Sequence, residues 1–266
     1  MVDIFESLGE LGFTQTPKQD SIFQDRIKKN RSEKEAANAA AKYDISQYVV
    51  LKRRICSVCN QTFVDVVLRT RKCRYLKSDT DLRAHFSPYD PIYYDVVHCH
   101  FCGYTAMNSH FDQVSEKQAA LLSERVKSQY RYKEYPLELK PPDVTELYQL
   151  ALLCALIKKV KASERAMLCL RLGWIAREQE DDKREQRYLS LALEGFELAY
   201  QSEDFPMYGM EPITLCYLLG DLSRKMGRLD KAMQYAGRVL TSKDASERLK
   251  DRARDLKWLI KDTQHR

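Results

Sequence analysis

Two hydrophobic rhythms divide this chain. Up to about residue 112 the apolar residues come in short runs; from Val144 onward they recur with a helical period. Thr62-Phe63-Val64-Asp65-Val66-Val67-Leu68 is rich in β-branched residues and reads as a strand. Ile92-Tyr93-Tyr94-Asp95-Val96-Val97-His98 reads the same way and runs straight into Cys99. Ser78-Asp79-Thr80-Asp81-Leu82 has the form of an N-cap opening a short helical segment that ends before Pro88. Residues 113–135 pattern as a helix with Val114, Leu121, Leu122 and Val126 on its apolar side, and Pro136, Pro141 and Pro142 then mark an extended hinge. Beyond the hinge come a helix from Val144 to Lys159, two helical pairs and a final helix, Ala245 to Lys261. In that last helix Leu249, Ala253, Leu256 and Ile260 form one stripe against a charged back, as a capping helix needs. The expected class is α+β, mostly α. The expected division is an arm (1–46), a β module (47–112), a connecting helix and hinge (113–142) and a helical domain (143–266).

The arm carries a short apolar cluster, Ile4, Phe5, Leu8, Leu11 and Phe13, broken by Gly9, Gly12 and Pro17. Ser32 to Lys42 is rich in Ala, Glu and Lys, with helix propensity but nothing to bury. It reads as a flexible arm, or as a docking peptide carrying Phe5, Leu8 and Leu11 to a partner or to the helical domain.

Composition adds bounds. Apolar content of 44% is ordinary for a soluble chain, and the longest apolar run, Leu150 to Ile157, is far too short to span a bilayer. No basic segment followed by an apolar one opens the chain, so no secretory signal and no membrane partner are expected. The eight cysteines are then expected in a reducing, cytoplasmic setting, as metal ligands or buried thiols.

The cysteines change the picture of the β module. Cys56-Ser57-Val58-Cys59 and Cys99-His100-Phe101-Cys102 are two Cys-x-x-Cys turns, each beside a strand-like run. Zinc takes four ligands tetrahedrally, and two such turns close one site. The residue after each second cysteine is Asn60 or Gly103, the types that best tolerate a left-handed backbone. Strand plus knuckle, twice, is a zinc ribbon with Cys56, Cys59, Cys99 and Cys102 as ligands to one structural zinc. Redox motifs would sit before a helix in a βαβ pattern, and disulfides would suit a secreted chain. Strand alternation turns His98 and His100 away from the Cys99 side, as partly exposed residues. Cys73 reads as a spare thiol, and Cys154, Cys169 and Cys216 as small core residues.

Net charge is +6. The ribbon holds a basic cluster, including Arg53, Arg54, Arg69, Arg71, Lys72 and Arg74, which opens a nucleic-acid reading. Yet residues 47–112 carry nine Lys or Arg against six Asp, a net of +3. A zinc with four thiolates brings about −2, leaving a weak footprint for tracking phosphates. An enzyme reading pairs Asp79 and Asp81 with His85 as a second metal or acid–base site. No nucleophile elbow, phosphate loop or His-Glu-x-x-His helix accompanies it, so no catalytic residue is assigned.

In the helical part Leu172-Gly173-x-x-Ala176-Arg177 recurs as Leu219-Gly220-x-x-Ser223-Arg224, and Cys169 and Cys216 precede each Gly by the same offset. Leu219, Gly220, Gly227, Ala232, Tyr235 and Leu240 resemble the tetratricopeptide (TPR) pattern, with Cys216 where that family usually has an aromatic. That resemblance implies a concave face lined by Leu170, Trp174 and Arg177 in one copy and by Tyr217, Asp221, Arg224 and Lys225 in the other. The cations there suit an acidic or C-terminal carboxylate ligand. Self-association is a variant of the same surface.

Taken whole, Cys56-x-x-Cys59, Ser78-Asp79-x-Asp81, Pro91-x-Tyr93-Tyr94 and Cys99-x-x-Cys102-Gly103-Tyr104 followed by the helices resemble an uncharacterised bacterial family. Its cytosolic members pair a four-Cys zinc ribbon with a TPR-like helical region. The resemblance implies that fold and supplies no activity. The function expected is a non-enzymatic cytoplasmic adaptor for a protein or peptide partner. A nucleic-acid-binding regulator and a metal-dependent enzyme stand as its rivals.

Overall fold

The structure is a computed structural model that describes residues 43–264. The apolar cluster of the arm and the Ser32–Lys42 stretch therefore lie outside the described residues. From Ile45 onward the chain forms one compact unit. It is mixed, mostly α, with small antiparallel strand pairs and, among the described residues, seven α-helices.

The β part consists of hairpins. β1 (Val49–Ile55) pairs with β2 (Thr62–Leu68), β3 (Arg74–Ser78) with β4 (Ala84–Ser87), and β5 (Val96–His98) with β6 (Thr105–Met107). β2 forms where its β-branched run predicts, and alternation sends Phe63 inward to a core with Val97, Tyr104, Phe111 and Leu122.

Three local expectations are corrected. Ser78–Leu82 opens no helix. Asp79 N–H donates to Arg83 O at 2.8 Å, Leu82 takes φ +68°, and the segment is the turn of the β3–β4 hairpin. Ser and Asp serve turns as readily as helix starts, and the antiparallel ladder decided between them. The strand before Cys99 is shorter than its sequence suggests. The Asp90 carboxylate accepts from Ile92 N–H at 3.1 Å with Pro91 following it, so Pro91–Tyr94 is a 3₁₀ turn and β5 begins at Val96. The helix drawn over 113–135 is α1 (Glu116–Leu122), opened by a Ser115/Gln118 capping box and ended by a π turn, Ser123–Lys127. After it Tyr130 and Tyr135 leave the helical path and pack edge-on against His98.

Pro141 and Pro142 make the first turn of α2 (Pro141–Lys158), where a missing N–H costs nothing. α2 packs against β5 and β6 on one side and α3 (Ala162–Glu178) on the other. α3 pairs with α4 (Asp182–Ser202), and α5 (Pro212–Lys225) with α6 (Leu229–Thr241). Gly173 lies where a Cβ would come within 2.7 Å of Leu189 on α4, and Gly220 where it would come within 3.2 Å of Tyr235 on α6. The repeated Leu-Gly thus marks two helix crossings. α7 (Glu247–Gln264) closes the array, burying Ala253, Leu256 and Ile260 as its stripe predicts. Cys154, Cys169 and Cys216 are buried. Among the described residues no helix is long and apolar enough to cross a membrane.

Candidate metal centre and the helical groove

The turn of the β1–β2 hairpin carries Cys56 and Cys59; that of β5–β6 carries Cys99 and Cys102. The two turns are built alike. Cys56 N–H donates to Gln61 O at 3.0 Å and Cys99 N–H to Tyr104 O at 2.9 Å. Asn60 N–H donates back to Cys56 O at 2.9 Å and Gly103 N–H to Cys99 O at 2.8 Å. Those return bonds require a left-handed residue, and Asn60 (φ +58°) and Gly103 (φ +75°) supply it, as the sequence predicts. Val58 N–H points at Cys56 Sγ, 3.4 Å away.

All four Sγ atoms lie within 4.8 Å of one another, Cys56 being 3.6 Å from Cys102 and Cys59 3.7 Å from Cys99. A tetrahedron with metal–sulfur bonds of 2.3 Å has edges of about 3.8 Å, so the spacing fits one metal ion such as zinc. Hydrogen bonds from Cys102 and Cys99 hold the Cys56 thiol well below its ordinary value, while the contact with Cys56 pushes Cys102 far up. A cation in the centre is what lets all four exist as thiolates together.

The nearby histidines are outside this group. His98 bonds through Nδ1 to Thr105 Oγ1 (2.8 Å) and through Nε2 to Tyr130 OH (2.9 Å), and burial pushes its imidazole down to about 4. His100 lies against Phe101 and Tyr132. Cys73 is buried beside Val49 and Leu68, its thiol pushed up by burial, and serves as a packing residue.

The expected groove residues are brought together, but around a segment of the chain itself. The β3–β4 turn reaches across to α3 and α5. Arg177 pairs with Asp79 at 2.9 Å and with both oxygens of Asp81, and is steadied from behind by Glu185 at 2.8 Å. Lys225 Nζ stands 3.7 Å from Asp81, which is fully buried. Thr80 Oγ1 donates to Asp221 at 2.8 Å, Asp221 in turn holds Arg224 at 2.9 Å, and Tyr217 OH donates to Thr80 O at 2.8 Å. Arg83 pairs with Asp90 at 2.9 Å and with Glu178, its guanidinium 5.8 Å from the centre of the Trp174 ring. The residues expected to line a concave face are thus engaged within the chain. Leu170, Tyr217 and Asp221 are buried, Trp174, Arg177 and Lys225 face the turn, and Arg224 is held by Asp221 on its own helix. The signal in the sequence for this contact is a pair of carboxylates flanking one residue, Asp79 and Asp81, in a chain with cations at matching positions of the repeated motif, Arg177 and Arg224.

The same contacts bear on Asp79, Asp81 and His85. His85 Nε2 is 2.9 Å from Asp79, and the Arg177 guanidinium and the Lys225 ammonium lie against the carboxylates. Although burial works to raise it, His85 and Arg177 together hold the Asp79 carboxyl below its usual range.

Of the basic cluster, Arg54 is committed to Asp65 (2.8 Å) and Asn108, and Lys72 donates to Gln47 O at 2.9 Å. Arg53, Arg69, Arg71 and Arg74 are exposed.

A family model described as an uncharacterized protein conserved in bacteria (DUF2225) matches residues 49–260. No curated protein and no solved structure matches the chain.

Proposed function

From the premise that the chain belongs to the DUF2225 family, which brings no activity with it, we propose that it is a non-enzymatic, zinc-containing adaptor of the cytoplasm that binds a protein or peptide. The observation that carries this reading is the closed set of four sulfurs. With every tetrahedral position taken by protein, a bound zinc has no site for water or substrate and holds two hairpins together. The paired helices are read as TPR-like repeats, supported by Gly173 and Gly220 at equivalent crossings and by Gly227 (φ +70°) at the turn between α5 and α6. The concave face has the chemistry for an acidic segment, since it already grips Asp79 and Asp81. A partner then engages surfaces that this turn leaves free.

The test is an affinity pull-down from native bacterial cytosol with the full chain, at low and moderate salt, with zinc, bound protein and bound nucleic acid all quantified. One discrete protein retained at moderate salt, with one zinc per chain, supports the adaptor. Capture of nothing, or an open zinc site seen by absorption spectroscopy after cobalt substitution, overturns it.

A second reading keeps one observation in its favour. Arg53, Arg69, Arg71 and Arg74 are exposed, with the ring of Tyr75 exposed beside them. Nucleic acid in the pull-down that vanishes with salt, and with Arg71→Ala and Arg74→Ala, would move the function to the ribbon.

A further inference from the structure

The two metal-bearing hairpins are not joined into one sheet. β2 pairs with β1 and β5 with β6, and the described residues give neither strand a second neighbour. The edges left over can be identified from the ladders. At the ends of the β1–β2 pairing Cys56 N–H donates to Gln61 O (3.0 Å) and Arg69 N–H to Tyr48 O (2.6 Å). Bonded pairs in an antiparallel ladder recur at every second residue. Thr62 and Val64 therefore direct their N–H and C=O away from β1. In the other hairpin, bonds from Cys99 to Tyr104 (2.9 Å) and from Asn108 to Asp95 (2.8 Å) give His98 the same outward position.

These outward edges line one cavity of about 400 Å³. Residues 62 to 66 of β2 line it consecutively. Side chains alternate along a strand, so a strand met at every residue is met edge-on. His98 lines the cavity from the β5 side, and Tyr135 and Leu139 give it an apolar wall.

We propose that this gap is a β-strand-addition site, which takes one extended, uncharged peptide segment with apolar side chains at alternate positions. The proposal rests on the adaptor reading and names the surface that the occupied helical groove leaves free. Its occupant follows from the cavity. A space of this size takes a few residues of one chain and has no room for the second strand of a hairpin, which excludes edge-to-edge pairing with another copy. Of its charged lining residues, Asp65 is paired with Arg54 at 2.8 Å and Lys133 with Glu146 at 2.5 Å, while the exposed Glu134 accepts only from Tyr132 OH, so the lining turns an acidic segment away and holds no unpaired cation to call for one. Alternate side chains of an inserted strand would meet the Leu139 wall on one side and the row headed by Val64, 49% exposed, on the other.

The experiment selects a displayed random heptapeptide library on the full chain and measures binding of the winners to wild type, Val64→Thr and Val64→Pro. Val64 N–H takes no part in the β1 ladder, and proline is tolerated on strand edges, so Val64→Pro removes the docking donor while the hairpin persists. Winners that bind wild type and Val64→Thr alike and Val64→Pro at least tenfold more weakly support the site. An empty selection, or winners indifferent to Val64→Pro, overturns it. Should Val64→Pro fail to fold by circular dichroism, amide exchange in wild type decides. Winners that slow exchange at Thr62 and Val64 support the site, and winners that leave both unchanged overturn it. Repeating the cytosol pull-down with Val64→Pro separates the two claims. A partner lost with Val64→Pro supports both. A partner retained keeps the adaptor and overturns the site. Edge-protecting winners with no cytosolic partner keep the site and overturn the adaptor.

Discussion

Gly103 is under two constraints at once. Its φ of +75° closes the second knuckle, and a Cβ there would lie 2.4 Å from the Tyr130 ring. Gly103→Ala should therefore cost more than about 2 kcal/mol, read as a lower midpoint in urea, from left-handed strain and the displaced ring together. Asn60 has the same backbone role without the crowding ring, and Asn60→Gly should be tolerated. Asp81 is sensitive for another reason. It is fully buried and faces Arg177 and Lys225, so Asp81→Ala leaves two cations facing an apolar gap. A broken buried pair typically costs about 3–5 kcal/mol, and because Arg177 is partly exposed about 2–3 kcal/mol is expected by equilibrium denaturation. Arg177→Lys should recover little, since an ammonium cannot hold Asp79, Asp81 and Glu185 together. The knuckles were legible in the sequence because four positions define each one. The partners of Asp81 were not, because Arg177 lies 96 residues away and nothing local points to it.

At the scale of elements the β3–β4 hairpin decides most. Read from its own residues it is a helix start, and it becomes a hairpin because its turn has somewhere to go: the face of α3 and α5. The strand reading of β2 succeeded where that of Ile92–Tyr94 failed, because β2 alternates against a core whereas Asp90-Pro91 imposes its own turn first. The hairpin also carries a pH dependence. The Asp79 carboxyl is held below its usual range, so its contribution is present above the unfolded value of about 3.9 and is lost as pH falls through the lower folded value. Below about pH 4, amides of the Asp79–Arg83 turn should exchange faster relative to those of α4, measured by hydrogen exchange with mass spectrometry. An unchanged ratio between pH 6 and pH 3 would show that hydrogen bonds such as Tyr217–Thr80 hold the turn without the carboxylates.

At the scale of the molecule, the four-cysteine cluster and the acidic turn tie the hairpins at different places. The thiolate cluster joins β1–β2 to β5–β6, and the acidic turn joins β3–β4 to the helices. Removing the metal with a strong chelator should lower the thermal midpoint and raise proteolysis near Cys59 and Cys99 first, while α4 to α7 stay protected. Cys59→Ser should do the same and bring bound zinc below one per chain by elemental analysis. The class of the fold and the helical periodicity were readable from residue spacing. What spacing did not convey is that the hairpins and the helices share one interior, with α2 against β5 and β6 and Thr80 bonded to Asp221, 141 residues away. Small β modules and helical arrays are commonly thought of as interchangeable parts, but here another β module would leave Lys225 without Asp81 and Arg177 with Glu185 alone, and another set of helices would leave the buried Asp81 without its cations. Each half carries the other's neutralising charge, so a substitution at Asp81 calls for a matching one at Arg177 and Lys225.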